Sequence, residues 1–137
     1  MNYAQRRQKA VDLLTALELD ALVLCEPENM RYLCGFTGSD GTLIISTEQL
    51  VFLTDSRYTT QAGIEVSADK IEEYKLKNDA IVAVLSSQAV KRTGFEAGLA
   101  VGVFNDLRDK GEQDWQWLPL RDEIQSLRLH KSADEIR

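Results

Sequence analysis

Metal-binding and redox chemistry have little to draw on in this sequence. Histidine occurs once, at His130, and cysteine twice, at Cys25 and Cys34. Two cysteines are too few for a disulfide scaffold, and they form no C-x-x-C pair. A metal site needs three or more converging His, Cys, Asp or Glu ligands, and one histidine at the far end of the chain does not supply them. The adjacent acids Glu72 and Glu73 point to opposite faces of a strand, so they cannot clasp one ion. No uninterrupted apolar run approaches the ~20 residues of a membrane span. The segment from Met1 to Arg7 is charged and lacks the apolar core of a secretion signal. Lys plus Arg number 16 against 22 Asp plus Glu, a net charge of −6. That balance, without basic clusters, disfavours nucleic acid as a partner. A reducing, cytoplasmic setting is expected, with neither membrane nor nucleic acid as partner.

Nucleophilic catalysis lacks its parts as well. Ser39 sits in Gly38-Ser39-Asp40 rather than in a G-x-S-x-G elbow, and no histidine is placed to serve it. Gly35, Gly38 and Gly41 match neither G-x-G-x-x-G nor a Walker loop. Cys25 reads as core and Cys34 as a small apolar filler. No catalytic residue and no metal ligand is expected in this chain.

What the sequence does hold is a core. Of 137 residues, 44% are hydrophobic and 28% charged, enough for one self-sufficient domain. Asn2, with Gln5 at capping spacing, starts a helix in which Ala10, Val11, Leu14 and Leu17 share a face, and Asp20 ends it. Ala21 to Cys25 is apolar without alternation, as in a strand covered on both faces. Glu26-Pro27-Glu28-Asn29 breaks that strand, and Met30 to Cys34 reads as one helical turn closed by Gly35. Strands at Thr42–Ser46 and Leu50–Thr54 form a hairpin. A short helix follows from Arg57 to Ala62, capped by Asp55 or Ser56 and ended by Gly63. Ile71 to Tyr74 is a strand, Ala80 to Leu85 a helix capped by Asn78 or Asp79, and Arg92 to Glu96 a strand. Leu99 to Lys110 is a helix stopped by Gly111. Gln113 to Leu118 is a strand with Trp115 and Trp117 on one face, ended by Pro119, and Arg121 to Leu129 is a helix. Helices and strands alternate around one antiparallel hairpin. The pattern predicts an α/β fold: a single three-layer domain with a mixed, mostly parallel β-sheet flanked by helices.

Two loops stand out. Gly35 to Gly41 holds three glycines, a density that needs unusual backbone angles or close approach of a ligand or another chain. Asp55-Ser56-Arg57-Tyr58 directly follows a strand and has two readings. One is a helix cap plus a core tyrosine. The other has Asp55 fixing Arg57 by a charge-assisted hydrogen bond, so that the loop presents polar groups outward. At the end of the chain, Ser132-Ala133-Asp134-Glu135 has the S-x-x-E form of a capping box. It announces a helix that the remaining residues cannot complete, so more protein is expected to follow. Residues 1–131 then form one domain and 132–137 begin the next.

Four motifs in order carry a resemblance. Asn29-Met30-Arg31-Tyr32-Leu33-Cys34-Gly35-Phe36-Thr37-Gly38-Ser39 is similar to N-x-x-Y-L-[TS]-G-F-x-G-S, with Cys34 in place of Thr or Ser. Thr54-Asp55-Ser56-Arg57-Tyr58 is close to T-D-x-R-Y, and Gly94-Phe95-Glu96 to G-F-E. Leu127 to Ile136 resembles R-x-I/V-K-S-x-x-E-I, with Leu129-His130 as a small departure. Together these resemble the N-terminal domain of the creatinase/aminopeptidase P/prolidase family.

The resemblance implies a pita-bread C-terminal domain in the same chain, holding two divalent metals (Mn, Co or Zn) and cleaving the bond before proline in Xaa-Pro peptides. It implies that the present domain is non-catalytic, supports a homodimer, and helps wall the active site, often that of the partner subunit. Phe36, Arg57 and Tyr58 then become the residues expected near a proline-containing peptide substrate, with Asp55 as structural support. Phe36 is included because an apolar ring in a glycine loop is hard to bury locally. The full-length protein is expected to be a metal-dependent Xaa-Pro dipeptidase or aminopeptidase and this portion alone inactive. The alternative is a non-catalytic protein-interaction module with a peptidase-like fold.

Overall fold

The computed structural model describes residues 2–129. In chain order the elements are α1 (Tyr3–Leu17), β1 (Ala21–Leu24), α2 (Pro27–Cys34), β2 (Thr42–Ser46), β3 (Leu50–Thr54), α3 (Thr59–Glu65), β4 (Lys70–Glu73), α4 (Lys77–Ser87), β5 (Arg92–Glu96), α5 (Val101–Lys110), β6 (Gln116–Leu120) and α6 (Asp122–Leu129). The strands make one six-stranded sheet in the order β4-β3-β2-β1-β5-β6. β2 is antiparallel to both neighbours, while β1 with β5, β3 with β4, and β5 with β6 are parallel. The sheet is mixed and mostly parallel, as expected. Its consequence for function is that the C-terminal ends of every strand but β2 share one edge.

Period-two alternation sorts the apolar strands into two cores. Leu22, Leu24, Leu43, Ile45, Leu50 and Phe52 pack against α1, α2 and α6 through residues such as Leu14, Met30 and Ile124. The alternate positions Ala21, Val23, Ile44, Val51 and Leu53 pack against Ile81, Val84 and Leu85 of α4 and Leu107 of α5. Strands buried on both faces read as unbroken apolar runs, which is why β1 to β3 were recognisable. Each such leucine or isoleucine contributes about 1.5–3 kcal/mol of burial.

Several boundaries differ from expectation for identifiable reasons. Asn2 caps α1 as read, its Oδ1 accepting from the Gln5 amide at 3.0 Å. The helix ends at Glu18 rather than Asp20, and Asp20 instead accepts from the Lys91 and Arg92 amides at 2.9 Å. α2 is longer than one turn because Pro27 occupies its first turn, where proline is pre-organised. It closes at Gly35 in the left-handed region, φ 89°. α3 starts after Tyr58 and runs through Gly63 to Glu65. α4 begins earlier than expected, with Leu76 as its cap residue; Asn78 and Asp79 lie inside it and bond Asp106 and Lys110 of α5, at 2.8 and 2.7 Å. Pro119 lies within β6 rather than ending it, because β6 is an edge strand that can spare the missing N–H. Trp115 precedes β6, although its ring lies 6.2 Å from that of Trp117. No helix among the described residues is long and apolar enough to cross a membrane. His130, the capping box at Ser132 to Glu135 and the boundary after residue 131 lie outside the described residues.

Candidate functional site

At the shared edge, β3 ends at Thr54 and the chain turns through Asp55. Asp55 Oδ1 accepts from the Arg57 amide at 2.9 Å. Its Oδ2 accepts from Arg57 Nη2 at 2.7 Å and Nε at 3.1 Å. One carboxylate therefore shapes the turn and fixes the guanidinium, but neither Asp55 nor Ser56 caps the helix: α3 starts at Thr59 with Tyr58 as its cap residue and no side-chain cap bond, because Asp55 is spent on the Arg57 amide and guanidinium. Hydrogen bonding from Arg57 is the main reason Asp55 is held below the usual carboxylate range. The Arg57 side chain remains 70% exposed, and its guanidinium carbon lies 5.3 Å from the Tyr58 ring centre. The corner thus shows solvent a cation whose geometry is set from beneath.

Tyr58 is anchored at both ends. Its hydroxyl is 2.6 Å from Ser39 Oγ, and its ring meets Phe36 edge-on at 5.9 Å. Phe36 packs in turn on Phe52 at 4.7 Å. Phe36 is 1% exposed, which corrects the expectation that the ring could not be buried locally. The reason is Gly38: a Cβ there would stand 2.3 Å from Phe36 Cζ. The bare backbone lets the ring fold back under its own loop, so that glycine makes room for an internal ring. Arg57 and Tyr58 come together at the surface, and Phe36 is the floor under Tyr58.

Three further residues join the corner. Asp40 Oδ1 accepts from Lys77 Nζ at 2.8 Å, and its Oδ2 accepts from the Tyr74 hydroxyl. The Asp40 carbonyl accepts from Thr54 Oγ1 at 3.0 Å, which ties the glycine loop to β3. Burial, followed by Asp40, drives the Tyr74 hydroxyl far above its ordinary value, so it stays a donor. Asp40 was visible in the sequence only as a member of the candidate glycine loop, and Tyr74 and Lys77 carried no signal there. The corner offers positioned donors and an aromatic face. It has no base poised beside a nucleophile, so it suits contact and orientation rather than bond making.

The implied pair of divalent metals finds no fitting donor set here. Among the described residues no three His, Cys, Asp or Glu side chains converge to hold an ion. Asp40 and Asp55 are already bonded to Lys77 and Arg57.

Residues 6–130 match the family described as Creatinase/Prolidase N-terminal domain. The chain belongs to this family. A curated relative, "Uncharacterized peptidase YqhT" of Bacillus subtilis (strain 168), is 33% identical over 132 residues, which cover 95% of this chain and 37% of that protein. This creatinase/prolidase N-terminal domain therefore spans little more than a third of that relative's length. The aminopeptidase P (Xaa-Pro aminopeptidase) of Streptococcus thermophilus superposes with a TM-score of 0.84 at 28% identity, over 92% of this chain and 98% of that one. The Xaa-Pro dipeptidase of Bacillus anthracis shares the fold, with a TM-score of 0.89 at 24% identity, over 98% of this chain and 38% of that one.

Proposed function

We propose that this creatinase/prolidase N-terminal domain is the non-catalytic partner of a metal-dependent Xaa-Pro dipeptidase or aminopeptidase domain in the same, longer protein. The exposed Arg57, locked by Asp55 over Tyr58, carries this reading, because a guanidinium fixed at such expense of freedom is oriented toward something outside the domain. In this reading Arg57 and Tyr58 face the active site, across a homodimer, and help hold a proline-containing peptide. Phe36 acts at one remove, as the floor that sets Tyr58, and Asp55 as the support that sets Arg57. The two divalent metals (Mn, Co or Zn) and their ligands belong to the C-terminal domain. The names of the relatives, an aminopeptidase P and an Xaa-Pro dipeptidase, support the substrate class. Two unpaired cysteines, Cys25 and Cys34, are compatible with a reducing cytoplasm.

The test is steady-state kinetics of the longer protein on an Xaa-Pro peptide. Arg57→Ala is expected to lower kcat/KM about tenfold, the loss of one charge-assisted contact, with metal content unchanged. The 137-residue chain alone is expected to turn over no Xaa-Pro peptide with added Mn²⁺ or Co²⁺. A longer protein without Xaa-Pro turnover would instead make the corner a protein-docking surface.

A further inference from the structure

β1 and β5 are parallel neighbours, but the chain leaves them in opposite directions. After β1 it enters α2, which packs on the layer with α1 and α6. After β5 it enters α5, which packs with α4 on the other layer. A crevice opens between the C-terminal ends of two such strands, and in open α/β sheets this is where ligands are taken. The N-terminus of α2 points into it, which adds backbone N–H groups suited to an anion.

Here the crevice is occupied by the chain itself. Glu96, the last residue of β5, is 2% exposed. Its Oε1 accepts from the amides of Cys25 at 2.5 Å and Glu26 at 3.0 Å. Its Oε2 accepts from the Glu26 amide at 2.9 Å and from Asn29 Nδ2 at 2.7 Å. Asn29 is itself buried, 3% exposed. All of these donors are neutral, and they come from the end of β1 and the start of α2. They are the contacts that a bound carboxylate would make in a site built for one.

We propose that Glu96 is a built-in ligand: its carboxylate fills a monocarboxylate-binding site at the β1/β5 crevice and closes that site to anything from solution. The chemistry gives the idea a sharp consequence. Truncation at Cβ removes the CγH₂–COO⁻ group, whose heavy atoms are those of acetate. Glu96→Ala therefore leaves a vacancy with the heavy-atom size and donor pattern of acetate.

Thermal melting of the 137-residue chain at pH 7 tests this. In chloride, Glu96→Ala is expected to melt at least about 8 °C below the parent, because buried donors lose their acceptor. Sodium acetate, at matched ionic strength, is expected to raise the melting temperature of Glu96→Ala saturably, by about 4 °C more than that of the parent. Glu96→Gln keeps the position filled, so it should melt closer to the parent and gain nothing specific from acetate. Three results would each overturn the proposal: Glu96→Ala melting with the parent, acetate acting equally on parent and variant, or Glu96→Ala failing to fold in acetate while Glu96→Gln folds.

Discussion

Asp55 and Glu96 stand at the same edge of one sheet and are held in opposite ways. Asp55 is partly open to solvent and bonded to a cation, so its proton affinity is lowered. Glu96 is buried among neutral amide donors, and burial raises its proton affinity despite those bonds. A surface ion pair adds little to stability, but it fixes the direction of its charged partner. A buried acceptor leaves unsatisfied donors behind when removed, at about 1–3 kcal/mol for a donor that water does not reach. The edge is thus divided between a corner that faces outward and a plug that holds two strands and a helix together.

Removal of the floor beneath the corner should have the largest effect. Phe36→Ala is expected to destabilise the chain by about 3–5 kcal/mol in urea denaturation, as for other buried phenylalanines. A loss near zero would mean that the ring is not core and that the corner is looser than described. Glu96→Ala comes next, with an expected loss of about 2–4 kcal/mol by the same measurement.

The two carboxylates should also respond to pH with opposite sign. Asp55 is lowered from 3.8, so its contribution is complete above that value and is lost as pH falls through the lower folded-state value. Glu96 is raised from 4.5, so the part of its contribution that is linked to protonation is complete below 4.5 and is lost as pH rises through the higher folded-state value, while the part that comes from filling the site and accepting from its donors stays. The stability difference between the parent and Asp55→Asn should therefore shrink below pH 3.8, and that between the parent and Glu96→Gln should shrink above pH 4.5. Denaturation curves across pH 3–7 read both, and slopes of the same sign would break the contrast.

The smallest effect is a matter of rate. Burial pushes the Cys25 thiol up to about 11, so it should react slowly with a thiol reagent at pH 8 in the folded chain. Because the Cys25 amide is bonded to Glu96, Glu96→Ala should speed that reaction and Arg57→Ala should leave it unchanged.

Legibility in the sequence followed locality. β2 and β3 have the bounds read from it, since each is a short apolar run between turn formers, and β5 has them too although Phe95 is its one large apolar residue. The Asp55–Arg57 bond was legible because the partners lie two residues apart. Capping rules misled at Asn78 and Asp79, whose side chains are spent on α5. Gly63 and Pro119 misled because an exposed helix face and an edge strand tolerate them. The burial of Phe36 depends on space above Gly38 that only the folded loop defines. Asp40 meets Lys77 across 37 positions, and Glu96 meets Asn29 across 67, separations that leave no local pattern.

The division of the edge is tested most directly by melting Arg57→Ala and Glu96→Ala side by side in the 137-residue chain at pH 7. Arg57→Ala should melt within about 2 °C of the parent, while Glu96→Ala should fall by about 8 °C or more. Equal losses, or a larger one for Arg57→Ala, would show that the exposed corner supports the fold and would contradict its outward role.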